Sequence, residues 1–183
     1  KNFGGDMAIA SYGVINRMTF IFAMIVMGLN QGMQPVAGYN YGAKQYDRVL
    51  RSFYITCAYA TGVMALLFIL GECCPEVMTK IFTHDADLIT RTIRPMRIIC
   101  SSMLIVGFQM VTGNLFTSIG MAGKSIFLSL TRQVIYLIPL TLLLPMAFAD
   151  PLDGVWWSIP VSDTLSAITA LIVLFASRKK LQA

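Results

Sequence analysis

Three charged side chains, Arg17, Arg132 and Asp163, stand inside long apolar runs, where a charge is expensive. On insertion scales an Arg or Asp at the centre of a membrane helix costs about 2.5–3.5 kcal/mol, so such groups face a bundle interior or a water-filled cavity. An acid held there is able to take up a proton or a cation. Arg17 lies about ten residues, hence about 15 Å, into its run, and Asp163 lies about 12 Å deep from the same side. Their similar depths predict a pair, either functional or purely structural. Arg132 lies about 12 Å from the opposite side, where it reaches Asp163 only by stretching or snorkels to the nearer interface. On an unbroken helix Asn16, Arg17, Gln31 and Gln34 fall within about 100° of one another. Gln109 shares a side with Ser102, Gly113 and Thr117, and Ser158, Ser162, Ser166 and Thr169 form a stripe beside Asp163. The pattern predicts a hydrated cavity involving Asp163, Arg17, Gln31, Gln34 and Gln109. The hydroxyl stripes by themselves read rather as hydrogen bonds between helices.

Other chemistries lack their residues. An enzyme needs a nucleophile–base or metal constellation at one place, and one histidine, His84, with one deep Asp does not supply it. The four cysteines, Cys57, Cys73, Cys74 and Cys100, have no zinc-site spacing. We therefore expect no catalytic residues, no metal site and no cofactor.

The elements that position the charges follow from composition. Of 183 residues, 56% are hydrophobic and 13% charged, and the mean hydropathy is +0.69. A soluble domain is about half apolar and a quarter charged, and a chain of this size has no core large enough to hide such a surface. Crossing about 30 Å of hydrocarbon takes roughly 20 helical residues. Five runs qualify: Met7–Gln34, Phe53–Leu70, Ile98–Ile119, Ser125–Ala147 and Val155–Ala176. They are too long and too unalternating for strands, and lipid demands internally satisfied backbones. Between Cys73 and Pro95 apolar residues interleave with Thr, Asp and Arg at helical spacing, which predicts an amphipathic helix along the outer interface with Pro95 marking the bend. The fold class is thus all-α, a polytopic bundle of about five spans plus that interfacial helix. Gly28-x-x-x-Gly32 and Gly38-x-x-x-Gly42 predict close helix approach.

Lys44, Arg48, Arg51, Lys124 and Arg178-Lys179-Lys180 fall on one side if five spans alternate, so the basic-side rule puts the C-terminus in the cytoplasm and the N-terminus outside. The net charge of +5 then reads as topology in the cell membrane and not as a nucleic-acid footprint. The first residues carry neither an initiator Met nor a signal peptide, which predicts a chain beginning inside a longer one.

One stretch, Gln31-Gly-Met-Gln-Pro-Val-Ala-Gly-Tyr-Asn-Tyr-Gly-Ala-Lys-Gln-Tyr-Asp-Arg-Val49, resembles the signature of the multidrug and toxic compound extrusion (MATE) family. Gly4–Gly13, Gly120–Ser125, Leu130–Val134 with Ile138-Pro139-Leu140, and Asp153–Asp163 extend the resemblance over nearly the whole chain, in the order of helices eight to twelve. The resemblance implies a twelve-helix antiporter of two six-helix bundles that exports small cationic or amphiphilic compounds in exchange for sodium ions or protons. Residues 1–183 would then be one partial C-terminal lobe, and its partners would be the substrates, the bilayer and the missing N-terminal lobe. Some sodium-coupled members carry an acid in the tenth helix. Ile98–Ile119 has none, leaving Asp163 as the intramembrane acid. In the signature, Pro35 and Gly38 are expected to loosen the helix end, Gly42 to permit a tight exit, Tyr39 and Tyr41 to sit at the interface, and Asn40 to cap backbone groups. A gating role for Pro35, Gly38, Tyr39, Asn40, Tyr41 and Gly42 is the expectation. The alternative is a related flippase for lipid-linked oligosaccharide or polysaccharide, although only Arg17 and Arg132 offer it cationic groups.

Overall fold

A computed structural model describes residues 5–182, with side chains as far as Ser177. The Arg178-Lys179-Lys180 side chains and Gly4 of the Gly4–Gly13 segment lie outside that description. Among the described residues the structure is helical: α1 (Gly5–Gly42), α2 (Tyr46–Cys73), α3 (Pro75–Lys80), α4 (Ala86–Cys100), α5 (Met103–Ser118), α6 (Ala122–Leu130), a π-helical turn (Thr131–Leu137), α7 (Ile138–Ala147) and α8 (Pro151–Gln182). Four continuous runs are long and apolar enough to cross a membrane: Gly5–Gly42, Tyr46–Cys73, Ala122–Ala147 and Pro151–Ser177. A fifth is supplied by α4 and α5 together, bent by 50° at their junction. Four of the five expected spans are continuous helices, and the third corresponds to the bent α4–α5 pair.

Two boundaries differ from expectation. The bend in the third span falls at Ser101-Ser102, and Pro95 sits within α4. At the break, the Ser101 hydroxyl donates to the Ile98 carbonyl at 2.6 Å. This side chain occupies an acceptor that a broken helix leaves open. The amphipathic segment is α4 itself, and it does not lie apart from the bundle. Its Ile89, Thr92, Met96 and Ile99 face is buried against neighbouring helices, while Asp87, Arg91, Arg94 and Arg97 are exposed.

The core gathers around α5, which packs on α1, α2 and α8. Val26, Phe53, Met64, Val111, Leu115 and Phe116 are fully buried there. In lipid, burying an apolar group exchanges one apolar neighbour for another, so closeness of packing decides association. Gly107 supplies it: a Cβ there would lie 3.0 Å from the Ala60 carbonyl oxygen. Of the two small-residue pairs, only Gly38 meets a neighbour, the Ser118 carbonyl oxygen at 3.0 Å, whereas Gly28, Gly32 and Gly42 meet nothing within 4 Å. The α6–α7 run is peripheral. Leu128 is its one buried apolar residue in α6, α7 has none, and Phe127, Leu142, Leu143 and Met146 form an exposed apolar surface suited to lipid.

Candidate functional site

A cavity of about 370 Å³ opens between α1, α5 and α6 with its π-helical continuation. The two helix faces with amides build its walls. From α1 come Asn30, Gln31 and Gln34; from α5, Gln109 and Asn114; from the π-helical turn of the fourth span, Arg132 and Gln133. Gln34 Nε2 donates to Asn114 Oδ1 at 2.6 Å, joining α1 to α5, and Gln109 Nε2 donates to the Ser166 hydroxyl of α8. Three buried polar atoms of this lining have no partner: Asn30 Oδ1, Gln109 Oε1 and Asn114 Nδ2. A buried amide without a partner costs free energy comparable to a lost hydrogen bond, so these atoms suit a cavity that holds water or a polar ligand.

Behind this wall lies the intramembrane acid. Asp163 is 1% exposed. Its Oδ1 accepts from Arg132 Nε at 2.9 Å and lies 2.8 Å from a second guanidinium nitrogen, while its Oδ2 accepts from the Ser102 hydroxyl at 3.1 Å. Arg132 stands on the π-helical turn, and Ser102 stands at the break between α4 and α5. One carboxylate therefore ties two helix irregularities to α8. Pro139 explains the first: it lacks an N–H and its ring crowds the carbonyl four residues earlier, so the turn preceding it widens. Tyr136 and Thr169 add a second link, with their hydroxyls 2.9 Å apart.

The structure brings Gln31, Gln34 and Gln109 together as expected and places Asp163 beside them through Arg132. The expected Arg17–Asp163 pair does not form. Arg17 is exposed on α1 and makes no ion pair among the described residues. Depth was matched but azimuth was not, because the buried face of α1 is carried by Val14, Ile15 and Met18. Arg132 wins because roughly 30 Å of hydrocarbon less two depths of about 12 Å leaves only about 6 Å to bridge, which an arginine stem spans. Asn30, Asn114 and Ser102 were not singled out as site residues. The available signal was spacing: Asn30 and Gln34 stand at i and i+4 on one helix face.

The 31–49 signature is also helical further than expected. Through Pro35, α1 runs to Gly42. Its exit is made by Lys44 at φ 57°, not by Gly42. Gln45 N–H donates to the Asn40 carbonyl at 2.8 Å and Lys44 N–H to the Tyr41 carbonyl at 3.0 Å, a Schellman pattern. The same closure ends α5, with Gly120 at φ 78° and Met121 N–H on the Phe116 carbonyl at 2.8 Å. Gly38 does not loosen the helix but lets α1 approach α5. Asn40 donates to the Val36 carbonyl at 2.7 Å, Tyr39 is exposed, and Tyr41 packs edge-on against Tyr46 with ring centroids 5.7 Å apart.

A bundle of apolar spans enclosing an amide-lined cavity and a sequestered ion pair defines the fold class of a multi-pass membrane protein. The MatE family model matches residues 2–143, and the chain belongs to that family, whose members are transporters and not enzymes. It is similar to the multidrug export protein MepA of Staphylococcus aureus, at 25% identity over 97% of this chain and 38% of the relative. The MepA of Staphylococcus saprophyticus is 23% identical over the same shares. Among solved structures it resembles the MATE multidrug transporter DinF-BH, with a TM-score of 0.83 and 38% identity over 96% of this chain and 39% of that one. An outward-facing MATE family transporter shares the fold, with a TM-score of 0.91 at 18% identity, over 99% of this chain and 41% of that one. The chain thus spans about two fifths of the length of these relatives. The resemblance read from Gln31–Val49 is borne out by these matches.

Proposed function

We propose that the chain forms the C-terminal lobe of a two-lobed efflux transporter, which exports small cationic or amphiphilic compounds in exchange for protons or sodium ions across the cytoplasmic membrane. In this reading the C-terminus faces the cytoplasm, and the cavity occupies the half of the bundle nearest the ends of α1 and α5. The observation that carries the proposal is the Asp163–Arg132–Ser102 cluster behind the amide wall. While Asp163 is ionised, it neutralises Arg132, and the cavity offers a cationic cargo uncharged amide oxygens. When Asp163 accepts a proton or a sodium ion, Arg132 loses its counter-charge and its guanidinium, already part of the lining, repels the cargo. Loading one cation therefore expels another, which is the logic of antiport. Among the described residues Arg132 is the only cationic side chain in the lining, so the cavity does not suit polyanionic lipid-linked sugars.

Export of a fluorescent cationic dye from vesicles, under separately imposed proton and sodium gradients, tests this reading in the full-length protein. One of the two gradients is expected to drive export, and Asp163→Asn to abolish that response while the protein remains folded. Gradient-driven export unchanged in Asp163→Asn would remove Asp163 from the coupling.

A further inference from the structure

A second cavity, again of about 370 Å³, lies at the end of the bundle where α1 and α8 begin, and it has a different chemistry. Arg91 and Arg94 of α4 face Asp150 and Asp153 at the start of α8 across it. Arg94 is already paired with Asp153. Arg91 makes no ion pair among the described residues, and it is exposed. Asp150 Oδ1 accepts from Leu152 N–H at 3.0 Å, capping α8 and leaving its second oxygen free. One wall therefore offers an uncompensated guanidinium and the other an uncompensated carboxylate oxygen. The remaining wall is apolar, from Met7, Leu152 and Trp156. Next to it Trp156 packs on Tyr12, with ring centroids 6.2 Å apart, and Tyr12 and Ile9 are exposed on α1. Trp156 is buried beneath Tyr12, and an exposed tyrosine beside an apolar face is the habit of a membrane–water interface.

We propose that this cavity binds the headgroup of a zwitterionic phospholipid with a primary amine, phosphatidylethanolamine, from the leaflet at that end. Arg91 and the outer nitrogens of Arg94 donate to the phosphodiester, as guanidinium forks do to phosphate. The free oxygen of Asp150 accepts from the ammonium. Met7, Leu152 and Trp156 receive the glycerol and the first methylenes. The charges are complementary only to a headgroup carrying both signs. An anionic headgroup leaves Asp150 facing a phosphate, and a choline headgroup has no N–H to donate. The inference stands apart from the cargo and from the coupling ion, since none of these residues touches the amide-lined cavity.

Native mass spectrometry of the full-length protein, equilibrated with equal amounts of phosphatidylethanolamine, phosphatidylcholine and phosphatidylglycerol, tests it directly. Preferential retention of phosphatidylethanolamine is expected, with about tenfold weaker retention in Arg91→Gln and in Asp150→Asn, each of which removes one charge-assisted hydrogen bond. Soluble phosphoethanolamine at the same concentration is expected not to displace the lipid. Equal retention of the three lipids by the unsubstituted protein would overturn the proposal without any variant having to fold. Retention unaltered in both variants would overturn it too, and displacement by the soluble headgroup would reject a lipid as the ligand.

Discussion

The cavity between α1, α5 and α6 is lined by six side-chain amides and a single guanidinium, whereas the cavity at the start of α1 and α8 presents two guanidiniums and two carboxylates. The first keeps its acid out of reach: Asp163 is buried behind the wall and bonded on both oxygens. The second shows its guanidiniums openly: Arg94 is 73% exposed at the side chain, while its partner Asp153 is 16% exposed. The contrast follows from depth. Near the headgroups, water and lipid phosphates solvate ions cheaply, so charges cost little and specify a charged ligand. In mid-span an ion is tolerable only when paired and hydrogen-bonded, so a site there is made of amides with one neutralised pair held in reserve.

The comparison breaks most readily at the ion pair. Arg132→Met leaves Asp163 buried with Ser102 as its one donor and is expected to lower stability by about 3–5 kcal/mol. The double variant Arg132→Met with Asp163→Leu is expected to regain most of that, because a packed apolar pair replaces a desolvated one. Unfolding midpoints of the detergent-solubilised protein provide the reading, and simple additivity of the two single changes would mean the groups do not interact. Near the end cavity, the start of α8 lies close against the α7 backbone. A Cβ on Gly154 would lie 2.7 Å from the Leu144 carbonyl group, so Gly154→Ala should cost about 1–3 kcal/mol and shift the start of α8 away from α7. Gly38→Ala, whose Cβ would meet one carbonyl oxygen at 3.0 Å, is expected to cost less in the same assay. Gln34→Leu removes the α1–α5 hydrogen bond and should cost about 1 kcal/mol. Smallest is Arg94→Gln: Arg94 is exposed although Asp153 is half-buried, so the pair contributes at most about 1 kcal/mol, which falls as salt is added.

The five spans were legible in the sequence because length and apolarity alone decide them. Gln31, Gln34 and Gln109 were legible because amides within apolar runs must find company. The partner of Asp163 was not, since helix depth is a one-dimensional coordinate and pairing also needs azimuth, which packing sets. Arg17 matched in depth and points elsewhere, while Arg132 approaches from the opposite side on a turn widened ahead of Pro139. The bend at Ser101-Ser102 was hidden for a related reason. Pro95 is the stronger local breaker, yet it is buried in α4 and the helix continues through it, so tertiary contacts override the propensity. Lys44 at the end of α1 is similar: Gly42 is the residue that turns easily, but the Schellman closure falls two positions later.

Antiport by this lobe rests on exchange at one carboxylate, and the direct measurement is the number of protons or sodium ions released when a cationic cargo binds. Linkage requires the cargo and the ion to weaken one another equally. Calorimetry in buffers of different ionisation enthalpy, repeated with and without sodium, counts both ions for the full-length protein and for Asp163→Asn. Asp163→Asn is expected to release about one ion fewer for each cargo bound. Release by Asp163→Asn equal to that of the unsubstituted protein would contradict that exchange.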